Sequence, residues 1–428
     1  MKTCILGGGL SALTLARGLE GESLILEKEE RIGGLCRSFS FRGVMHDVGP
    51  HIIFSKNQQA LATLNALSEM DKHRRSNRIY FGGKFVKYPF ENDLSALPKA
   101  ERDYCVRAFL HNPYRDYTAA NMLQFYLKIF GEGITRLYLQ PYNQKIWKFD
   151  PSFMDTQMVE RIPRPPDEDI VKSARGAATE GYTHQLYFTY PKTGAIEALV
   201  HGTADAVKDK TRIETGVKIK RIEKTGSGWK ISTEGGDIET DRLINCMPIH
   251  ELFNVMAAPD DVRAAVAGLK YNSIHIVMLH VKKDSFGDNF AVNFADSSIV
   301  FHRLSKIGFM GGAYKPADGG EIIMVEVTYR GGMAEENADY VRQRVQDDLC
   351  RMGAVRREDI LACEVRSFKY AYVIYDLDHR KHADLALGWL RGMGVESCGR
   401  FAEFEYINMD AAVDRARRLA EKINGEKK

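Results

Sequence analysis

The spacing of apolar and polar residues changes several times along the chain, and each change marks a predicted element. Residues 2–6, KTCIL, read as a short apolar strand. GGGLSA follows as a glycine turn, LTLARGL has the three-to-four spacing of a helix, and SLILE closes as a second strand. That order makes residues 2–55 half of a βαβ unit of the dinucleotide-binding kind. From about Ser95 to Gly181 the spacing turns helical, as at Met122, Phe125, Tyr126 and Ile129, with Gly131 and Gly133 read as stops. Residues 212–248 predict a β-meander with a turn at Gly226-Ser227-Gly228 and a buried last strand, RLINCMP. Alternating segments at Ser273–Lys282 and Glu321–Tyr329 predict a second sheet. Residues 408–424 place Met409, Val413, Ala416, Ala420 and Ile423 on one helical face. RIPRPPDED at 161–169 reads as a flexible loop, and no internal repeat is visible.

Composition narrows the function. The 428 residues are 44% hydrophobic and 27% charged, which predicts a globular chain with more than one lobe. Sixty Lys and Arg against 57 Asp and Glu leave a net charge of +3, too even for a nucleic-acid partner. The one tight basic cluster, His73-Arg74-Arg75, reads as a solvated turn. Apolar runs such as Ile274–Val281 are strand-length, well short of the roughly 18 residues of a membrane span, so no membrane insertion is expected. The glycine cluster comes too early to leave room for a secretory leader, and a cytoplasmic location is expected. Seven scattered cysteines without C-x-x-C spacing predict reduced core thiols. His280 and His302 stand alone in apolar surroundings, and no metal is expected.

Gly7-Gly8-Gly9-Leu10-Ser11-Ala12 fits G-x-G-x-x-G/A, and Glu27 stands twenty residues after Gly7, where an acidic ribose ligand belongs. A second feature follows at once: Lys28, then Arg31-Ile32-Gly33-Gly34-Leu35-Cys36-Arg37, whose glycines would bring another backbone segment to the dinucleotide and whose Arg37 would face phosphates. Asp47, Gly49 and His51 complete the pattern. L-E-K-x-x-R-I-G-G followed by D-x-G-x-H resembles the FAD-binding half of the amine oxidase, protoporphyrinogen oxidase and UDP-galactopyranose mutase superfamily.

The resemblance implies an α/β fold: an FAD-binding Rossmann-like domain of the GR2 type, a helical insert and a second, mostly antiparallel β-sheet domain. Its expected boundaries are 1–70, 190–250 and 385–428 for the discontinuous FAD-binding domain. Residues 95–185 would form a helical domain with a lid loop, and 71–94 with 251–384 a substrate-binding sheet domain. Ile219 and Ile222 resemble the family's adenine-side strand. Cys398-Gly399-Arg400, with Asn408 and Met409, resemble its second flavin contact.

Three further segments resemble the mutase branch: Tyr142-Asn143-Gln144-Lys145-Ile146-Trp147, Glu160-Arg161-Ile162-Pro163, and Gly399 through Met409. Carried over, Tyr142 would stack on uracil and Trp147 would line the sugar pocket. Arg161 and Arg303 would grip a diphosphate, Tyr372 and Tyr406 would donate hydroxyls, and Arg400 and His51 would lie by the flavin. The implied activity interconverts pyranose and furanose forms of a nucleotide-linked sugar such as UDP-galactose, through covalent catalysis at N5 of FAD kept reduced by an outside electron donor. A homo-oligomer is admitted. Two departures stand out: Lys87 replaces an asparagine, and about ten extra residues precede Tyr190, where Tyr182 or Tyr187 would supply another sugar-facing tyrosine. They keep open an FAD-dependent oxidase of the amine oxidase or protoporphyrinogen oxidase type, with a flavin-bound scaffold of a polysaccharide assembly system as a third reading.

Overall fold

The computed structural model describes residues 2–159, 162, 164–181, 185–333 and 337–426. Its first layer is a five-stranded parallel sheet in the order Val395–Ser397, Arg242–Asn245, Thr3–Leu6, Ser23–Leu26, Thr211–Glu214. The strand Thr3–Leu6 is buried along its whole length, as a parallel strand covered on both faces must be. The helix Leu10–Gly18 covers one face, and the final helix, Met409–Gly425, lies along it. A Cβ on Gly18 would stand 2.7 Å from that of Ala420, so only glycine lets the two helices approach this closely. Val413, Ala416, Ala420 and Ile423 are all buried there, as their helical spacing predicted.

The second sheet has seven strands in the order Ile360–Ile374, Lys270–Val281, Glu321–Arg330, Arg303–Lys306, Ala291–Phe294, Asn77–Phe81, Lys84–Lys87. Every neighbouring pair is antiparallel except Ala291–Phe294 with Asn77–Phe81. The insert between the sheets is helical, with Lys99–Leu110, Met122–Ile134, Gln140–Trp147 and Asp167–Ala174. Among the described residues no helix is long and apolar enough to cross a membrane.

Four expectations are corrected. Residues Thr211–Glu214 and the expected last strand, Arg242–Asn245, leave the meander for the parallel sheet, where they pair with Ser23–Leu26 and Thr3–Leu6, so the meander runs from Ile219 to Thr240. His73 and Arg74 form no turn but belong to the strand Met70–Arg74, paired with Tyr187–Pro191, and His73 stacks on Phe188. The loop read over 161–169 stops at Pro166, since Asp167, Glu168 and Asp169 make the first turn of a helix whose positive end favours acidic residues. Gly131 and Gly133 do not stop the insert's helix. Gly131 kinks it, and helical structure resumes through a π turn to Trp147. Both glycines serve close packing, because a Cβ on Gly131 would meet the Ala108 carbonyl at 2.6 Å and one on Gly133 the Cys105 Cα at 2.6 Å.

Candidate active site

The first part of the site is a cradle built from two glycine segments. Gly7, at φ 90°, turns the chain out of Thr3–Leu6, and Gly9 begins the helix Leu10–Gly18 with no side chain capping its first amides. Glu27 is buried beneath: its Oε2 accepts from the Gly8 amide at 2.7 Å and its Oε1 from the Glu29 amide at 2.9 Å. The Gly33 amide donates to the Gly8 carbonyl at 2.8 Å, which sets Gly33 and Gly34 beside the opening turn. A Cβ on Gly7 would press on Met247, whereas one on Gly9 would meet nothing within 4 Å. The turn is therefore open only at Gly9, the position where a pyrophosphate needs bare backbone. From the far end of the chain, Gly399 stands against the same turn: its Cβ would be 2.9 Å from Ser11 Oγ. Arg37 is held with Nε on the Gly34 carbonyl at 3.1 Å and Nη1 on Glu29 at 3.3 Å. Lys28 is exposed, and Ile219 is half-buried at the start of its strand.

Beyond the cradle lies a cavity of about 330 Å³ bounded by Leu35, His51, Arg303, Arg400, Asn408 and Met409, among others. Asn408 immediately precedes the final helix without a side-chain capping bond, and the Asp410 carboxylate in its first turn accepts from Ser55 Oγ. Arg400 Nε donates to the Ile407 carbonyl at 2.8 Å, holding its guanidinium 5.4 Å from the Tyr406 ring.

The wall opposite carries a group the sequence reading missed. Glu326 is completely buried and is the cross-strand partner of Arg303. The two form a fork, Nε to Oε1 at 2.5 Å and Nη2 to Oε2 at 2.7 Å. Burial alone would lower the Arg303 pKa, but the Glu326 charge holds it well above its ordinary value. The Tyr372 hydroxyl donates to Glu326 Oε2 at 3.4 Å. His302, expected in apolar surroundings, lies instead 3.7 Å from that carboxylate. Burial, followed by the charge of Arg303, holds its pKa well down, so the ring stays neutral.

The insert supplies the aromatic parts. Tyr142 lies face to face with Tyr138 at 5.3 Å, and Tyr138 with Phe90 at 5.0 Å, a three-ring stack. Trp147 is only 7% exposed and stands edge-on behind Tyr372 and Tyr406, at 5.5 and 5.6 Å. Its Nε1 donates to Asn143 at 2.7 Å, so it orients the two tyrosines more than it faces the cavity itself. Lys87 Nζ donates to the Thr179 carbonyl and pairs with Glu180, both at 2.8 Å. Arg161 and Tyr182 lie outside the described residues. Tyr187 is half-exposed and covered by Lys72, whose Nζ is 4.8 Å from the ring.

His51 Nδ1 is buried without a hydrogen-bond partner among the described residues. Burial, then Arg400 and Arg303, lower the His51 pKa to about 3, so the ring is neutral at ordinary pH. An unfolded histidine takes up its proton near 6.5. Between those values the unfolded chain binds more protons, so the stability tied to His51 is lost as pH falls. Flavin-free protein is expected to lose roughly 3 kcal/mol relative to His51→Asn between about pH 7 and pH 4. Urea unfolding of both proteins measures this, and parallel pH profiles would reject it.

An open glycine turn, a buried acidic residue beneath it and an unsatisfied imidazole beyond it suit a flavin dinucleotide. Residues 11–424 match the profile of the family described as flavin containing amine oxidoreductase. The chain belongs to that family. FAD is accordingly the cofactor of this amine oxidoreductase relative. Its fold is that of a reduced UDP-galactopyranose mutase (TM-score 0.91, 22% identity, covering 99% of this chain and 96% of that one). A protein of Exiguobacterium sp. 255-15 assigned as a protoporphyrinogen oxidase has the same fold (TM-score 0.79, 14% identity, 99% of each chain). An uncharacterized protein of the nifH2 3' region of Methanothermococcus thermolithotrophicus is 43% identical over 67 residues, 15% of this chain. The chain spans 65% of that relative's length, just under two thirds.

Proposed function

We propose that this flavoprotein is a mutase that interconverts the pyranose and furanose forms of a nucleotide-linked sugar such as UDP-galactose. The observation that carries the reading is the meeting of Trp147, Tyr372 and Tyr406. Trp147 and Tyr406 come from two segments, far apart in sequence, that separately resemble the mutase branch, and Trp147 backs the cavity wall to which Tyr372 and Tyr406 belong. Gly7, Gly9, Leu10, Ser11, Gly33 and Gly34 would hold the FAD pyrophosphate on backbone amides, Glu27 and Lys28 its ribose, and Ile219 its adenine. Leu35, His51, Gly399, Arg400, Asn408 and Met409 would border the ring system. Bound and reduced, FAD supplies the nucleophile for a covalent step at the anomeric carbon. Burial, then Glu326, keep the Tyr372 pKa well above that of an ordinary phenol, so its hydroxyl donates and does not act as a base. Neutral His51 adds no positive charge beside Arg400. Tyr142 would present a ring backed by Tyr138 to the nucleobase, and Arg161 would secure the departing diphosphate for its return.

The second reading, a flavin-dependent oxidase, is favoured by Lys87 and by the clasp it forms on Thr179 and Glu180, where the mutase pattern has an asparagine. Cations at that mouth disfavour a protonated amine and suit a carboxylated substrate such as a porphyrinogen. Incubation with UDP-galactose, with and without dithionite, separates the two. Furanose product formed only under reduction is the expected result. Peroxide release with a porphyrinogen, and no isomerisation in either condition, would overturn it.

A further inference from the structure

A second chamber of about 470 Å³ opens beside the inner cavity and shares with it the wall formed by Arg75, Asn77, Tyr88 and Gln185. Its charge is one-sided. Among the described residues, Arg74, Arg75, Arg78 and Lys87 line it, against one carboxylate, that of Glu180. Arg78 Nε meets the neutral Asn289 at 3.2 Å, and among the described residues no carboxylate pairs with Arg74 or Arg78. Arg75 Nη1 donates to the neutral Gln185 at 2.6 Å, with its guanidinium 5.3 Å from the Tyr88 ring. In the inner cavity Arg303 forks Glu326 through Nε and Nη2, and Arg400 is held on the Ile407 carbonyl. Among the described residues the cations of the outer chamber therefore outnumber its carboxylates. With the inner cavity bounded by residues that suit the flavin, the outer chamber is the space left for the anionic part of a substrate.

We propose that the outer chamber is the diphosphate subsite, and that Arg74 and Arg78, with Arg75 beside them and Lys87 opposite, hold the anion. Guanidinium groups suit phosphoryl oxygens because each offers two parallel N–H donors, which an ammonium lacks. Glu180 then sets the affinity. It occupies Lys87 in the empty chamber, so an arriving diphosphate competes with it for that ammonium.

The inference deepens the nucleotide-sugar reading, yet anion binding can be measured apart from isomerisation, so the two can fail separately. The probes are inorganic pyrophosphate and UDP, titrated calorimetrically into FAD-saturated protein at low salt, so that the opening glycine turn is already filled. Arg74→Met/Arg78→Met is expected to weaken pyrophosphate binding at least about tenfold with flavin content unchanged, because it removes two charge-assisted contacts. Glu180→Gln is expected to tighten it about threefold, a gain that misfolding cannot imitate. No pyrophosphate binding by the parent protein, an unchanged affinity in the double variant, or equal or weaker binding in Glu180→Gln would each overturn the assignment.

Discussion

Replacing Arg303 with methionine should destabilise the protein by about 3–5 kcal/mol, one of the largest losses expected from any single substitution. The cost comes from what is left behind. Glu326 has no exposed surface, so without Arg303 it becomes a buried, unpaired carboxylate. The reverse change is milder, because the Arg303 side chain keeps 27% of its surface and can reach the cavity when Glu326 is neutral. Glu326→Gln is therefore expected to cost about 1–3 kcal/mol. Removing both charges, with Met at each position, should recover most of the larger loss, since a buried ion pair and an apolar pair of similar volume are close in free energy. Urea midpoints of the three variants in flavin-free form test the order. A Glu326→Gln variant less stable than Arg303→Met would show that the pair is not buried as described.

The second large effect falls on the cofactor and spares the fold. Gly9→Ala adds a methyl where the chain itself offers no atom within 4 Å, at a backbone angle any residue accepts. The flavin-free protein should unfold within about 0.5 kcal/mol of the parent. The methyl nevertheless stands where the pyrophosphate must approach backbone amides, so purified protein should retain less than about a tenth of its FAD. Gly7→Ala is the contrasting variant. Gly7 has φ 90° and its Cβ would be 3.0 Å from the Met247 amide nitrogen, so this change should cost stability of about 1–3 kcal/mol with or without flavin. Flavin absorbance per chain, set beside an unfolding curve, distinguishes the two. A Gly9→Ala protein that keeps its colour would remove the pyrophosphate from that turn.

What the sequence revealed follows from how locally each feature is encoded. The strand, glycine turn, helix and Glu27 lie within one short stretch, and each residue is constrained by backbone shape, so the cradle could be read directly. The final helix was legible for a similar reason, because five apolar residues on one face leave no other way to bury them. Glu326 was overlooked although a signal existed: it stands in phase with the apolar Ile322 and Met324 in a buried stretch of its strand. Its meaning depends on lying opposite Arg303 across a strand pair, and no local pattern states that register. The Lys87 clasp on Thr179 is more remote still, linking residues 92 positions apart. Gly131 and Gly133 look like helix breakers in isolation. They acquire their role only when the helix Lys99–Leu110 lies within reach. Charge misled at His73-Arg74, where three basic residues in a row outweighed the pairing partner waiting at Tyr187–Pro191.

The contact between the first and last helices bears on how the protein is made. Asn424 Nδ2 donates to the Gly18 carbonyl across 406 residues of chain. At about 5–20 residues per second of translation, the N-terminal helix waits roughly 20–80 s on the ribosome before its partner emerges. Throughout that interval the flank that meets the final helix lacks that partner. A chaperone that shields nascent chains would therefore matter more for this protein than for one whose nucleotide fold is contiguous in sequence.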